Sequence, residues 1–426
     1  MDDTLVGTYE TGFAKCREVA RVLDLDAPDR TTFSALYGAM SFDECVKRLH
    51  PGVDAARYVS AYDALATRFP PVPLCDGILL RDAVEKIGAR IGILTNGPGE
   101  KTWGKLRACG FDASDFDFVV HADNAAVLKP DIGSFIKLGA FGVDSRAAWY
   151  VSDSAAEWRA AETAGFRSVG VGTGRPASSG YLPTLLLPNS SVLPEVVPLL
   201  VAATGSPHAD QPAAVTFDAG FTLVEHIRDP ARVVRDHLAR SGPAPATAEV
   251  NAALAGAAAV LASPQSWWAD PVAADGTLRR FYGEVLNGLG RGSPSGAGAI
   301  LGEYVSPANW RALPGASEVL ATARASGRRI GVLSNWQPSL PEVLTLTGLD
   351  QYVDVILPST TIGVAKPSPE AFLAAADALG VTPRTLLHVG DRLADDVLGA
   401  LRAGCRAALV AGPVSELAAA FRTAGG

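Results

Sequence analysis

The sequence predicts an α/β protein made of two successive domains of one design, each a parallel sheet with helices on both faces and a helical insertion near its start. Two observations carry this. Four short motifs occur twice in the same order, and short apolar runs alternate with helix-patterned segments along both halves.

The repeat sets the domain plan. The second copy reads FDAGFTLV (217–224), GVLSNW (331–336), VAKPSPEAF (364–372) and HVGDRLADDVLGALRAG (388–404), and the first reads MDDTLV (1–6), GILTNG (92–97), VLKPDIGSF (127–135) and YVSDSAAEWRAAETAG (150–165). Thr95 and Ser334, Lys129 and Lys366, and Asp153 and Asp391 are each separated by 237 to 239 residues. Solenoid and propeller periods are far shorter, so this is a duplicated domain. A chain of 426 residues holds two such domains comfortably. The expected layout is a first domain over 1–204, a linker at 205–212 within the polar segment ATGSPHADQPA, and a second domain over 213–426.

In the first copy ARIGILTN, DFVVHA, AAWYVSD and SVGVG read as strands. The apolar run 181–201 is broken by prolines 183, 188, 194 and 198 and reads as a buried strand followed by a short helix. In the second copy AAVTFD, RRIGVLSN, DVILPS, TLLHVGD and AALVAG are strands, and SEVLATARAS, PSLPEVLTLTG, SPEAFLAAADALG and LADDVLGALRAG have helical apolar spacing. The long helical stretches between first and second motifs, about 10–81 and about 226–311, read as lids over the strand ends. The motifs fall at the C-terminal ends of strands, where open α/β sheets bind ligands.

Composition excludes several classes. The chain is 48% hydrophobic and 19% charged with net charge −8, without a long basic run, so nucleic acid and anionic membranes are poor partners. Cys16, Cys45, Cys75, Cys109 and Cys405 are odd in number and lack a CxxC pair, which argues for buried reduced thiols in a cytoplasmic protein. No signal peptide or spanning apolar stretch is read.

The chemistry lies in the motifs. A carboxylate at a strand end serves as a covalent nucleophile for phosphoryl transfer. It needs a cation to offset its charge and the substrate's, hence a second acidic cluster, and a hydroxyl and an amine to hold phosphoryl oxygens. The second copy provides Asp218, Ser334 with Asn335, Lys366, and Asp391 with Asp395 and Asp396.

On these motifs the chain resembles a tandem fusion of two haloacid dehalogenase-superfamily hydrolases, each a Rossmann-like core with an inserted helical cap. The resemblance implies Mg²⁺ as cofactor, Asp218 as nucleophile, and the Gly220 carbonyl as a metal ligand with Asp391 and Asp395 or Asp396. It implies phosphate binding by Ser334, Asn335 and Lys366. In the first copy it implies the same roles for Thr95, Asn96, Lys129, Asp153 and Glu157.

Two departures stand out. The family's first motif is Asp-x-Asp-[Gly/Asp]-Thr-[Leu/Val], in which the second Asp protonates the leaving group. The second copy has Gly220 there. Proton donation of this type contributes about 10²–10⁴-fold. That leaves a slow phosphatase, a preference for good leaving groups, or an acid borrowed from the cap. In the first copy Asp2 takes the general-acid position and the nucleophile would precede Met1. The preferred expectation is that Met1 is internal to a longer natural motif. A degenerate copy kept as a folding or regulatory partner, or rescue by another carboxylate, are the alternatives. Glu157 as second acid and Ser152 before Asp153 are milder departures.

Other features carry bland readings. GVGTG (170–174) lacks the third glycine and following acid of a dinucleotide loop. The six histidines show no metal or triad spacing, although His388 adjoins the fourth motif. Trp267, Trp268 and Trp310 read as cap core, and Arg392 as a solvated charge. The expected function is an Mg²⁺-dependent phosphatase acting on a small phosphorylated metabolite through an aspartyl-phosphate. The alternatives are a dehalogenase or phosphonatase-like hydrolase, or a tandem pseudoenzyme serving as a binding module. The sequence leaves oligomeric state open, with pairing of the two domains within one chain as one option.

Overall fold

The computed structural model describes residues 1–37, 40, 42–172, 181–201, 203, 210–262 and 265–422. Most of the expected linker and the end of the GVGTG turn therefore lie outside the described residues. The chain forms two compact units, Met1–Pro176 with Leu187–Val201, and Ala177–Leu186 with Ala202–Gly426.

The second unit is built on a parallel sheet. Ala214–Phe217 lies at its centre, between Arg329–Ser334 and Leu386–Gly390, with Val355–Pro358 outside the former and Arg406–Leu409 outside the latter. Leu185 and Leu186 extend it by pairing in parallel with Ala407 and Ala408. Every residue of Ala214–Phe217 and Leu386–Gly390 is buried, which explains their near-continuous apolar sequences. Val215, Phe217, Ile330, Val332, Leu387 and Val389 form one hydrophobic cluster with the helices over the sheet. The register aligns Phe217 with both Val332 and Val389, so three motif-bearing strands end level with one another.

The insertion of this unit begins and ends at an antiparallel pair, Val224–His226 with Trp310–Ala312. Between them four helices, Pro230–Ala239, Thr247–Ala257, Pro271–Gly288 and Pro294–Tyr304, close on their own core around Val234, Tyr282, Val285 and Ile300. Trp267 and Trp268 stack at 4.4 Å between ring centres against that core, as read from sequence. Trp310 differs, since it lies on the returning hinge strand rather than within the helices.

The first unit repeats the plan in smaller form. Val6–Gly7 pairs antiparallel with Val72–Pro73, and the helices Tyr9–Val22, Arg30–Leu36, Phe42–Leu49 and Ala55–Ala64 lie between them around Phe13, Cys16, Phe33 and Tyr58. The insertion thus closes before helix Gly77–Lys86, earlier than the expected boundary near 81, because the hinge pairing at Val72 returns the chain to the core. Gly92–Leu94 pairs with Phe118–Val120, and Trp149–Ser152 with Arg167–Val171. Among the described residues no strand joins these two pairs within the unit. Both units make the same turn within the first motif: Asp3 and Phe221 have φ of 51° and 58°, and their amides donate to Val6 and Val224 carbonyls at 2.7 Å.

All five cysteines are free, and four are buried. Burial pushes the Cys16 and Cys405 thiols up to about 12 and those of Cys45 and Cys75 up to about 11. At pH 8 their thiolate fraction is then at least about a hundredfold below that of a free cysteine. A disulfide-exchange reagent should label Cys109 first in the native protein and reach all five only after denaturation, as read by intact mass. Equal rates at all five positions would contradict this packing.

Candidate active site

The level strand ends of the second unit bring the motifs together. Asp218 follows the central strand, its amide donating to the Val389 carbonyl at 2.8 Å. Ser334 closes the neighbouring strand and its Oγ donates to Asp218 Oδ1 at 2.8 Å. Lys366 arrives on a loop fixed at its backbone. The Asn335 amide donates to the Lys366 carbonyl at 2.8 Å, and the Lys366 amide donates back to Asn335 Oδ1 at 2.8 Å. The second motif therefore positions the third.

Lys366 is 3% exposed, and its Nζ donates to Asp218 Oδ1 at 2.6 Å and, very closely, to Asp396 Oδ1. Burial opposes its charge, but Asp218 and Asp396 outweigh that and hold the ammonium charged. Asp396 is likewise opposed by burial and held well below the usual carboxylate range by Lys366 and His388. His388, fully buried, lies between Thr216 Oγ1 at 2.9 Å from Nδ1 and Asp396 Oδ1 at 3.1 Å from Nε2. Burial lowers its pKa, so the neutral ring donates from Nε2 to Asp396 and accepts at Nδ1 from Thr216. The Arg392 amide donates to Asp396 Oδ2 at 2.9 Å.

Carboxylate oxygens of Asp218, Asp391 and Asp396 lie within 4.8 Å of one another, the only such group of three among the described residues. Asp391 Oδ1 is buried without a hydrogen-bond partner. Burial, then the charges of Asp218 and Asp396, push the Asp391 carboxyl up to about 6. An orphaned oxygen in an acidic cluster with one lysine is a donor set that a hard divalent cation fits.

The sequence left Asp395 and Asp396 equivalent, and the structure separates them. Asp395 pairs with Arg392 at 2.6 Å and stands outside the acidic triad, while the Arg392 side chain itself stays largely exposed, in keeping with a solvated charge. The cause is a π-helical turn over Leu393–Leu398, which inserts one residue relative to the α-helix Ala155–Thr163 of the first copy. The copies are offset by 238 at Asp153 and Asp391 but by 239 at Gly165 and Gly404. Glu157 is thus the counterpart of Asp396. Gly390 makes room for that placement, because a Cβ there would stand 2.2 Å from Asp396 Cγ.

In the first unit Asn96 brackets the Lys129 backbone as Asn335 does Lys366, with both bonds at 2.8 Å. Lys129 Nζ donates to Glu157 Oε2 and to the Tyr150 hydroxyl, both at 3.0 Å. Tyr150 occupies the His388 position and donates to Glu157 at 2.5 Å, and Ser152 Oγ donates to the same oxygen at 2.7 Å. The serine that breaks the family pattern thus binds the longer acid. Thr95 is buried and accepts from the Gly97 amide at 3.2 Å. Asp153 accepts from Thr4 Oγ1 at 3.4 Å. Asp2 pairs instead with Lys105 at 2.8 Å, away from the acid role expected of it.

Sequence reading passed over Thr216 and Trp336. The first was visible as a hydroxyl two residues before the nucleophile position on an otherwise apolar strand, and the second as an aromatic directly after Ser334 and Asn335. Because Lys366 alone compensates two buried carboxylates, Lys366→Met should cost about 3–5 kcal/mol of unfolding free energy near neutral pH. Urea denaturation reads this, and a loss below about 1 kcal/mol would show that the pair is not a stabilising unit.

Comparison with known proteins also finds two successive matches along the chain. Residues 189–404, just over half of the chain, match a family model described as haloacid dehalogenase-like hydrolase, and residues 1–171 match a second with that description. Haloacid dehalogenase-like hydrolase domain-containing protein 3 of Mus musculus is 36% identical over 110 residues, 26% of this chain and 44% of its own length. Phosphoserine phosphatase of Thermus thermophilus is 34% identical over 145 residues, 34% of this chain and 56% of its own. The chain thus spans about half the length of these curated relatives. A solved HAD phosphatase from Thermococcus onnurineus is 24% identical with a TM-score of 0.34, covering 46% of this chain and 85% of that one. The chain belongs to the haloacid dehalogenase-like hydrolases, two copies of which it carries in tandem.

Proposed function

We propose that the second unit is an Mg²⁺-dependent phosphatase of small phosphorylated metabolites, working through an aspartyl-phosphate on Asp218. The observation that carries this reading is the convergence of Asp218, Ser334, Lys366 and the Asp391–Asp396 acids at level strand ends. A relative named phosphoserine phosphatase supports it. The cation would be held by Asp218, Asp391 and the Gly220 carbonyl, with Asp396 completing the acidic set. When bound it would offset negative charge on the nucleophile and the phosphoryl group.

The protein's own groups do the rest. Ser334 and Lys366 share Asp218 Oδ1 and so fix the rotamer of the attacking carboxylate. With substrate present, the same hydroxyl and ammonium hold phosphoryl oxygens as charge shifts onto them. Asp396 and His388 act from below by holding Lys366 in place. Neither is expected to touch substrate. The reduced, buried thiols fit a cytoplasmic setting, and no described helix is long and apolar enough to cross a membrane.

The carbon–halogen alternative has one observation in its favour, Gly220 in place of the acid that phosphate esters use. The acidic cluster with its orphaned Asp391 oxygen weighs against it, because attack on carbon needs no divalent cation.

Asp218→Asn should abolish phosphate release from acetyl phosphate and small phosphate esters, by at least about 10³-fold, with an unchanged circular dichroism spectrum. Chelation of divalent cations should silence the wild type, and added Mg²⁺ should restore it. Turnover that persists in the asparagine variant would remove the mechanism. Release of halide from a 2-haloacid without added metal would favour the carbon–halogen reading instead.

A further inference from the structure

The face of the site that a leaving group would occupy is aromatic. A Cβ built on Gly220 would stand 3.4 Å from Cζ3 of Trp336, so the half-buried indole borders the position where the family carries its acid. From Trp336 the row continues to Trp310 at 4.4 Å between ring centres, to His226 at a further 3.8 Å, and from His226 to Phe221 at 5.6 Å. Phe221 stands three residues after Asp218, is 59% exposed, and is held at φ 58°, a conformation that bulky residues rarely adopt. Glu225, the first carboxylate after Gly220 in the sequence, is paired with Arg311 at 2.9 Å. His226 is kept neutral by burial, with its pKa lowered to about 4.

Resting on the phosphatase reading above, we propose that the preferred substrates are phosphate monoesters of acidic, ring-borne hydroxyls, aryl phosphates in chemical class, with the ring seated against Phe221 and Trp336. Two independent observations converge on this class. The missing acid requires a leaving oxygen that departs without a proton, and the aromatic row offers a stacking surface for a planar group.

The steps balance without an added reactant. An Asp218 carboxylate oxygen bonds to phosphorus while the bond from phosphorus to the aryl oxygen breaks. Its electron pair leaves on a phenolate, which is protonated by solvent. Water then attacks phosphorus, the bond to Asp218 breaks, and the carboxylate returns as inorganic phosphate and a solvent proton are released. By microscopic reversibility, the acid that would assist the first step would serve as base in the second. Its absence slows water attack even when the leaving group is good. With an aryl ester the aspartyl-phosphate therefore accumulates.

The test uses the full chain with Mg²⁺ and four probes: p-nitrophenyl phosphate, phenyl phosphate, benzyl phosphate and acetyl phosphate. The expected result is a pre-steady-state burst of about one p-nitrophenolate per chain, and kcat/KM at least tenfold higher for p-nitrophenyl than for benzyl phosphate. Phe221→Ala should lower kcat/KM about three- to tenfold for both aryl esters and leave acetyl phosphate, which has a good leaving group but no ring, unchanged. Gly220→Asp should remove the burst and raise benzyl phosphate turnover most. Equal rates for benzyl and p-nitrophenyl phosphate would overturn the proposal, since a cap acid would then be supplying the proton. An equal effect of Phe221→Ala on acetyl phosphate would overturn the stacking surface. Failure of all four probes, acetyl phosphate included, would instead sink the phosphatase reading itself.

Discussion

One buried ammonium organises the second unit's site. Lys366 is held in a fully buried position by carboxylates that are themselves buried, and each needs the other to stay charged. Exposed pairs such as Arg279 with Asp275 are screened by water and leave the fold nearly indifferent to their loss. A desolvated pair is different, because an uncompensated partner costs several kcal/mol. That cost explains the surrounding choices. Asn335 clamps the Lys366 backbone at both ends, Gly390 is stripped of a side chain so that Asp396 fits, and Thr216 and His388 occupy interior strand positions that would otherwise be apolar.

The two copies solve this constraint with different side chains. In the first, a glutamate reaches Lys129 from a regular α-helix, and Tyr150 and Ser152 satisfy its oxygen. In the second, the acid is one methylene shorter. It is carried one residue further along by a π-turn, and histidine with a backbone amide replaces the two hydroxyls. The position of the acid relative to lysine is thus kept while its length, helix type and partners all change together. Altering one alone would fail: a side chain at position 390 collides with Asp396, whereas Ser152 is an asset beside Glu157.

Most of the architecture was legible because it rests on patterns that sequence displays directly. Buried parallel strands show as apolar runs, and motifs at their ends recur at a nearly fixed offset. The choice between Asp395 and Asp396 was not legible, since a π-turn leaves no mark except a one-residue change in offset. The end of the first insertion was missed because Val72–Pro73 is a two-residue strand whose only signal is its partner Val6–Gly7. The partner of the exposed Arg392 was hidden for a related reason. That partner is Asp395, which lies on the π-turn and outside the acidic triad.

Charge counting weighs most in the choice of chemistry for the second unit. Asp218, Asp391 and Asp396 bring three potential negative charges to a space a few ångströms across, and Lys366 brings one positive charge. The excess is felt within the protein, where Asp391 is driven up to about 6 by burial and its two neighbours. A phosphate ester entering such a site as a dianion would meet repulsion that the lysine is already committed to balancing elsewhere. At 4 Å, each like-charge pair costs about 4 kcal/mol at an effective dielectric of 20. A divalent cation beside Asp218 and Asp391 would cancel that net charge of two, whereas a second lysine would offset only half of it. A 2-haloacid would bring a single negative charge and no phosphoryl oxygens, so it would have less use for a cation held among so many carboxylates, and this asymmetry is the ground on which the proposed reading prefers phosphorus over carbon as the centre attacked.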